Sequence, residues 1–202
     1  MSPAADGVLD ELDALLEANV GRSRLRSGLR TPWGRVRLRD PRASDAEAVH
    51  AVLLGVLSEG GGFVALPDEV GADPSPTRRA LADIESGVGV GVVAELNGRL
   101  VGYAFARPPG PKRLSHVVHL DIALVPEVRG AGVGGALLDQ LIEQARGAPD
   151  VRKLSLAVFA DNEAAVALYR SRGFVKEGLR IQEVQGPGGS YRDDLLMALF
   201  VD

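Results

Sequence analysis

The stretch Pro126-Glu127-Val128-Arg129-Gly130-Ala131-Gly132-Val133-Gly134-Gly135-Ala136-Leu137-Leu138 wedges a glycine cluster between an apolar, strand-like run and a helix-like one. Glycines at 130, 132, 134 and 135 remove side chains where the backbone can come close to a ligand. The helix that follows opens with unpaired N–H groups at its positive dipole end, and this end attracts anions. One exposed contact of this kind is worth only about 0.3–1 kcal/mol, so several N–H groups must converge to hold a phosphate. A polyphosphate ligand suits the cluster.

Working outward, Leu114 to Val125 reads as the strand that feeds the cluster. Leu137, Leu138, Leu141, Ile142 and Ala145 form a helical apolar stripe closed by Gly147 and Pro149, and Leu154 to Phe159 reads as the next strand. Strand, helix and strand make a crossover unit with parallel strands. One other phosphate-binding motif fails here, and a second fits the spacing but not the context. A Walker loop needs Lys and then Ser or Thr after its last Gly, where this chain has Ala136 and Leu137. The dinucleotide fingerprint is matched in spacing by Gly130, Gly132 and Gly135, but Pro126-Glu127-Val128-Arg129 separates the strand from the first glycine. Asp161 also lies later than that motif's acidic residue, and too little chain follows for a second nucleotide-binding half.

Arg129-Gly130-Ala131-Gly132-Val133-Gly134, read as Arg-x-x-Gly-x-Gly after Val125-Pro126, resembles the pyrophosphate motif of the GCN5-related N-acetyltransferase (GNAT) superfamily. Asn162, Ala165, Leu168, Tyr169, Gly173 and Phe174 follow the next strand in the order that this family shows. Two motifs in the correct order are more specific than either alone, and the resemblance covers about residues 34 to 201. It implies a single-domain α/β fold whose mixed, mostly antiparallel sheet contains a central parallel strand pair. It also implies acetyl-CoA as co-substrate, with direct transfer of the acetyl group to a primary amine on a small molecule or a protein N-terminus. No metal and no covalent enzyme intermediate are expected. A non-catalytic acyl-CoA-binding module or sensor of the same fold is the alternative.

The resemblance also assigns residues. The strand is expected to splay near Leu124, opening backbone N–H groups over Ile122, Ala123 and Leu124 for the pantetheine arm and the thioester carbonyl. Arg129, Gly130, Ala131, Gly132, Val133, Gly134 and Gly135 would form the pyrophosphate site, largely through backbone amides. Asn162 would steady the pantetheine or a bound water, unless it is only part of the helix start.

Acetyl transfer sets further requirements. A primary amine of reference pKa near about 10.4 is almost wholly protonated at neutral pH, so its proton must be removed before attack. The leaving thiolate needs a proton in return, and Tyr169 is the candidate donor; packing in the core beside Val166 and Ala165 is the plain alternative. His119 and Asp121 lie two apart on one strand, so they share a face, and either could serve as base, as could ordered water. His116 should point to the other face in a structural role, and His50 has no supporting context.

Bulk properties agree with one intracellular domain. The chain has 202 residues and no cysteine, which excludes disulfides, thiolate metal sites and a cysteine nucleophile. An acidic N-terminus and the lack of an apolar run of the roughly 18 residues a span needs predict a cytoplasmic protein with no leader and no membrane partner. The net charge of −4 argues against general nucleic-acid binding. Residues 1–30 read as a helical extension, with Leu9, Leu12, Leu16 and Val20 along one face over 6 to 20, and residues 31–202 as the transferase domain. By the resemblance, homodimerisation is also expected, and the extension could serve it.

The remaining segments complete the expected sheet. Arg35-Val36-Arg37-Leu38-Arg39 alternates as a half-exposed strand, and Ser44-Asp45-Ala46-Glu47 opens a helix bearing Val49, Val52, Leu53 and Val56. A Pro-rich connection from Phe63 to Pro76 leads to a short helix at 77 to 86; the resemblance hangs it, with Glu59 and Phe63, over the acceptor site. Val88 to Leu96 and Arg99 to Arg107 read as a hairpin closed by Asn97-Gly98. Two final strands are expected over 174 to 185 and 190 to 200, and Asp161 is expected to cap the helix that ends at Gly173.

Overall fold

The computed structural model describes residues 28–60 and 62–201. The helix expected over 6 to 20 lies outside the described residues, as do Arg22, Arg24 and Arg26. Eight strands form one sheet: β1 (Leu29–Thr31), β2 (Gly34–Arg39), β3 (Val90–Leu96), β4 (Arg99–Arg107), β5 (Val117–Leu124), β6 (Lys153–Phe159), β7 (Val175–Gln185) and β8 (Tyr191–Phe200). Their order is β1-β2-β3-β4-β5-β6-β8-β7, and only β5 and β6 run parallel. The sheet therefore takes in Leu29 and Arg30, ahead of the boundary expected at residue 31.

Helices cover both faces of the central strands. On one face lie α4 (Val133–Gly147) and α5 (Glu163–Arg170); on the other lie α1 (Ala46–Ser58) and α3 (Ser75–Glu85), with the short α2 (Pro67–Val70) between them in sequence. Leu137, Leu138 and Leu141 of α4 are fully buried against Val92, Val101 and Val118. Val49 and Val52 of α1 pack with Val93, Tyr103 and Phe105 on the opposite side. Because both faces of β4 are covered, Leu100 to Ala106 are all buried, whereas on β2 only Val36 and Leu38 point inward and the arginines lie outward as the alternation predicts.

The hairpin turn at Asn97 and Gly98 has φ of 51° and 78°, the left-handed pair that Asn-Gly favours. Helix α1 starts at Ala46, after a 3-10 turn over Ala43–Asp45, rather than at Ser44. Asp45 holds that start by accepting Arg42 N–H at 2.8 Å and a bidentate contact from Arg39. His50, which had no sequence context, is buried and staples α1 to Gly71 and to the first turn of α3. Its Nε2–H donates to Gly71 O at 3.0 Å, and Nδ1 lies 3.1 Å from Thr77 Oγ1.

One break in the sheet positions the site. β5 pairs with β6 only from Val117 to His119, opposite Lys153 to Ser155. It continues against β4 as far as Leu124, while β6 continues against β8 as far as Phe159. The two strands thus part immediately after His119, earlier than the splay expected near Leu124. A V-shaped opening results, with α4 and α5 on one side and α1 on the other.

Candidate active site

The open edge of β5 offers hydrogen-bonding groups with no strand among the described residues to receive them. Val125 N–H bonds Val101 O at 3.0 Å, and antiparallel ladders alternate, so the N–H and C=O groups of His119, Asp121 and Ala123 turn toward β4. Those of Ile122 and Leu124 turn into the opening. Of the three residues expected to offer free N–H groups, Ile122 and Leu124 therefore do so and Ala123 does not. Ala123 instead packs its side chain among the buried residues beside α1.

The glycine cluster lies at the same mouth. After a 3-10 turn over Pro126–Val128, Gly130 and Gly132 adopt φ of 72° and 82°, a left-handed geometry that a side chain resists. Gly132 is the N-cap of α4 and brings no side-chain oxygen to the first turn. The first intrahelical bond runs from Ala136 N–H to Gly132 O, so the N–H groups of Val133, Gly134 and Gly135 are left for another acceptor. Val133 is buried and Ala131 packs against the core, so both can contribute only backbone. A Cβ at Gly134 would sit 3.1 Å from Leu124 Cδ1 and 3.6 Å from Leu168 Cδ2, which shows how closely the start of α4, the end of β5 and α5 converge. The helix start and the β5 edge thus present two donor sets side by side, in the places expected for pyrophosphate and pantetheine.

Arg129 is placed differently from the expectation of a ligand contact. Its Nε and Nη2 donate to Leu124 O at 3.0 and 2.6 Å, and Nη1 and Nη2 donate to the Glu59 carboxylate at 2.6 and 2.8 Å. This leaves its guanidinium committed to protein groups. Asn162 likewise serves the fold, capping α5 through Oδ1, which accepts from Ala165 N–H at 3.2 Å. The expected cap, Asp161, pairs instead with Arg192 at 3.0 Å.

Tyr169 lies on α5, within the core that packs against the sheet. Its ring packs on Phe174 with centroids 5.6 Å apart, and the residue is only 6% exposed. The hydroxyl makes no hydrogen bond among the described residues, yet it is not sealed in: Gln140 Oε1 is the one unpartnered buried side-chain polar atom among them. Burial pushes the Tyr169 phenol above its ordinary range, and the charge of Asp121 adds to the shift. Tyr103, across the ladder from Ala123 and stacked on Phe105 at 4.6 Å, is raised by the same two causes. Asp121 thus lies within electrostatic reach of both phenols.

The two candidate bases stand in different surroundings. His119 sits on the last rung shared with β6, opposite Arg107 of β4. Asp121 lies opposite Phe105, on the part of β5 that has left β6. Asp121 is exposed to solvent at the strand edge, yet the protein atoms near its carboxyl partly desolvate it. This desolvation holds its carboxyl above the usual aspartate range, with partial opposition from Arg107 and His119. His116 is exposed in the turn before β5 and contributes its C=O, which accepts from Arg152 and Lys153 N–H at 2.9 and 3.1 Å.

With this arrangement in view, the family model for the Acetyltransferase (GNAT) family matches residues 64–174, more than half of the chain and both halves of the opening. The chain is an acetyltransferase of the GNAT family. It is 38% identical to the N-alpha-acetyltransferase RimI of Mycobacterium tuberculosis over 115 residues, covering 55% of this chain and 68% of RimI. A GNAT-family acetyltransferase from Streptococcus pneumoniae superposes with a TM-score of 0.76 at 27% identity, over 83% of this chain and all of that one. The fold is shared as well by YncA of Salmonella typhimurium, a putative acetyltransferase solved with its cofactor acetyl-CoA, at a TM-score of 0.75 and 20% identity, over 84% and 95% of the two chains.

Some parts of this opening carry no motif in the sequence. Tyr103, Phe105 and Arg107 reach it only through the register of β4 against β5, while Glu59, which the resemblance hung over the acceptor site, pairs with Arg129. Alternation along β4 is invisible because every position from Leu100 to Ala106 is buried.

Proposed function

We propose that this chain is an acetyl-CoA-dependent N-acetyltransferase that moves the acetyl group directly to a primary amine. Three features support the reading: the outward-turned N–H groups of Ile122 and Leu124, the start of α4 without a side-chain cap beside Leu124, and a Tyr169 phenol that feels the charge of Asp121 on the same strand. Acetyl-CoA, when bound, supplies a thioester carbonyl as electrophile and a thiolate as leaving group. The first-turn N–H groups of α4 hold its pyrophosphate, and the β5 edge orients the pantetheine arm. An N–H of Ile122 or Leu124 directed at the carbonyl oxygen stabilises negative charge developing there, a contribution worth about 2.7–4 kcal/mol for a comparable single donor.

Asp121 is the better placed of the two bases. It lies beyond the last shared rung, and its raised pKa brings a carboxylate closer to the range in which a base works at neutral pH. Tyr169 keeps its proton at neutral pH and donates it toward sulfur. The two groups are coupled: when Asp121 takes up the amine proton its charge disappears, and the phenol loses one of the two causes that raise it.

Calorimetric titration with acetyl-CoA tests the reading, with micromolar affinity expected; absence of binding at millimolar cofactor would overturn it. A thiol-release assay across peptides with free N-termini, amino acids and small amines then separates an enzyme from a binding module. RimI's name makes peptide N-termini the first arm of that panel.

The pH dependence of Asp121 has a definite sign. As base it must be ionised, so activity rises with pH through a limb above the ordinary aspartate range, and Asp121→Asn removes that limb while His119→Gln leaves it. Stability runs the other way. A carboxyl raised in the folded state contributes fully below its unfolded pKa, and this contribution is lost as pH rises through the folded pKa. Asp121→Asn is therefore expected to raise Tm at neutral pH but not below the carboxylate range, and a lower Tm at neutral pH would show that Asp121 is not held in this way.

A further inference from the structure

The pairing of Glu59 with Arg129 joins two parts of the molecule that neither motif connects. Glu59 caps the C-terminal end of α1, on the face opposite α4, and lies 70 positions before Arg129 in the chain. Its carboxylate receives Nη1 and Nη2 of Arg129 at 2.6 and 2.8 Å, the forked geometry that fixes a guanidinium in its plane. The same guanidinium gives Nε and Nη2 to Leu124 O. Four hydrogen bonds to two partners thus set its position.

The target carbonyl explains why this matters. Leu124 O points into the opening, where β6 no longer supplies an N–H. The peptide that bears it is held on its other side by Val125 N–H on Val101 O at 3.0 Å. Arg129 therefore clamps the last peptide of β5 from the open side and closes a ring of five positions back onto the strand. That ring sets where the phosphate loop beginning at Gly130 stands relative to the free N–H groups of Ile122 and Leu124.

We infer that Glu59 is a positioning residue: by holding the Arg129 guanidinium against Leu124 O, it sets the distance between the phosphate-binding and pantetheine-binding halves of the site. The inference rests on the acetyl-CoA reading above. Both side chains are partly exposed, at 35% for Glu59 and 42% for Arg129, so the pair contributes little to stability and its loss should register in ligand binding. The Arg129 guanidinium beside it holds the Glu59 carboxyl below the usual glutamate range, so the pair is charged at neutral pH.

The test compares a ligand that spans both halves with one that reaches a single half. Acetyl-CoA and adenosine 3′-phosphate 5′-diphosphate are titrated into the wild type, Glu59→Gln, Arg129→Gln and the double variant. Glu59→Gln is expected to weaken acetyl-CoA roughly tenfold through lost preorganisation, with Tm nearly unchanged. The fragment, which engages only the phosphate loop, should change by less than about twofold if its N–H donors are intact. In the Arg129→Gln background the Glu59 substitution should have no further effect, because the two act through one contact. Equal weakening of both ligands, no weakening of acetyl-CoA, or an undiminished Glu59 effect without Arg129 would each overturn the inference. Failure of the wild type to bind acetyl-CoA at all would instead overturn the functional reading itself.

Discussion

Tyr169→Phe is expected to lower kcat for thiol release by about 100-fold or more, the scale of a positioned general acid. Acetyl-CoA affinity should stay within about twofold, because the hydroxyl acts on charge that develops only in the transition state. The substitution is clean on structural grounds. The ring keeps its contact with Phe174, and the hydroxyl leaves no orphaned partner because it bonds to none among the described residues. Tm should therefore be preserved, so a fall in kcat reports lost chemistry and not lost fold. An unchanged kcat would return Tyr169 to the core-packing role that its spacing beside Val166 and Ala165 also allowed.

Gly134→Asp is expected to weaken acetyl-CoA binding by roughly 100-fold or more, since two like charges 4 Å apart repel by about 4 kcal/mol at an effective dielectric of 20. The position is in the first turn of α4, among the N–H groups assigned to pyrophosphate. A new Cβ there meets Leu124 Cδ1 at 3.1 Å, which the end of a leucine side chain can yield to. A carboxylate in a first helical turn also favours the helix by about 0.3–1 kcal/mol. Stability should hold or rise while cofactor affinity falls. This opposite movement of Tm and Kd separates anion competition from misfolding, and parallel losses in both would remove the anion-site assignment.

Much of the fold was legible because its signals are local. The Asn97-Gly98 turn, the α4 stripe and the glycine-rich start of α4 each depend on neighbours a few positions away, and all appear as read. Boundaries were less legible where side chains outside the segment decide them. Asp45 starts α1 late because Arg39 of β2 and the Arg42 backbone share its carboxylate. Asp161 gave up the cap of α5 to Asn162 because Arg192, two strands later in the chain, draws its carboxylate away. His50 looked contextless because its partners, Gly71 and Thr77, come from a segment that folds back over α1.

The sequence by itself determined the glycine-rich anion loop, the crossover that carries it, and the order Arg129, Asn162, Tyr169 that places the chain in its family. Left-handed turns, helix starts and hydrophobic periods are properties of short segments, so short segments reveal them. Only the tertiary structure decided that β5 leaves β6 directly after His119, that Ile122 and Leu124 hold the free donors while Ala123 does not, and that Arg129 grips Leu124 and Glu59. Each of these depends on strand register or on side chains meeting across tens of residues. Such meetings are set by how the sheet and its covering helices share one core, and no single segment contains that information.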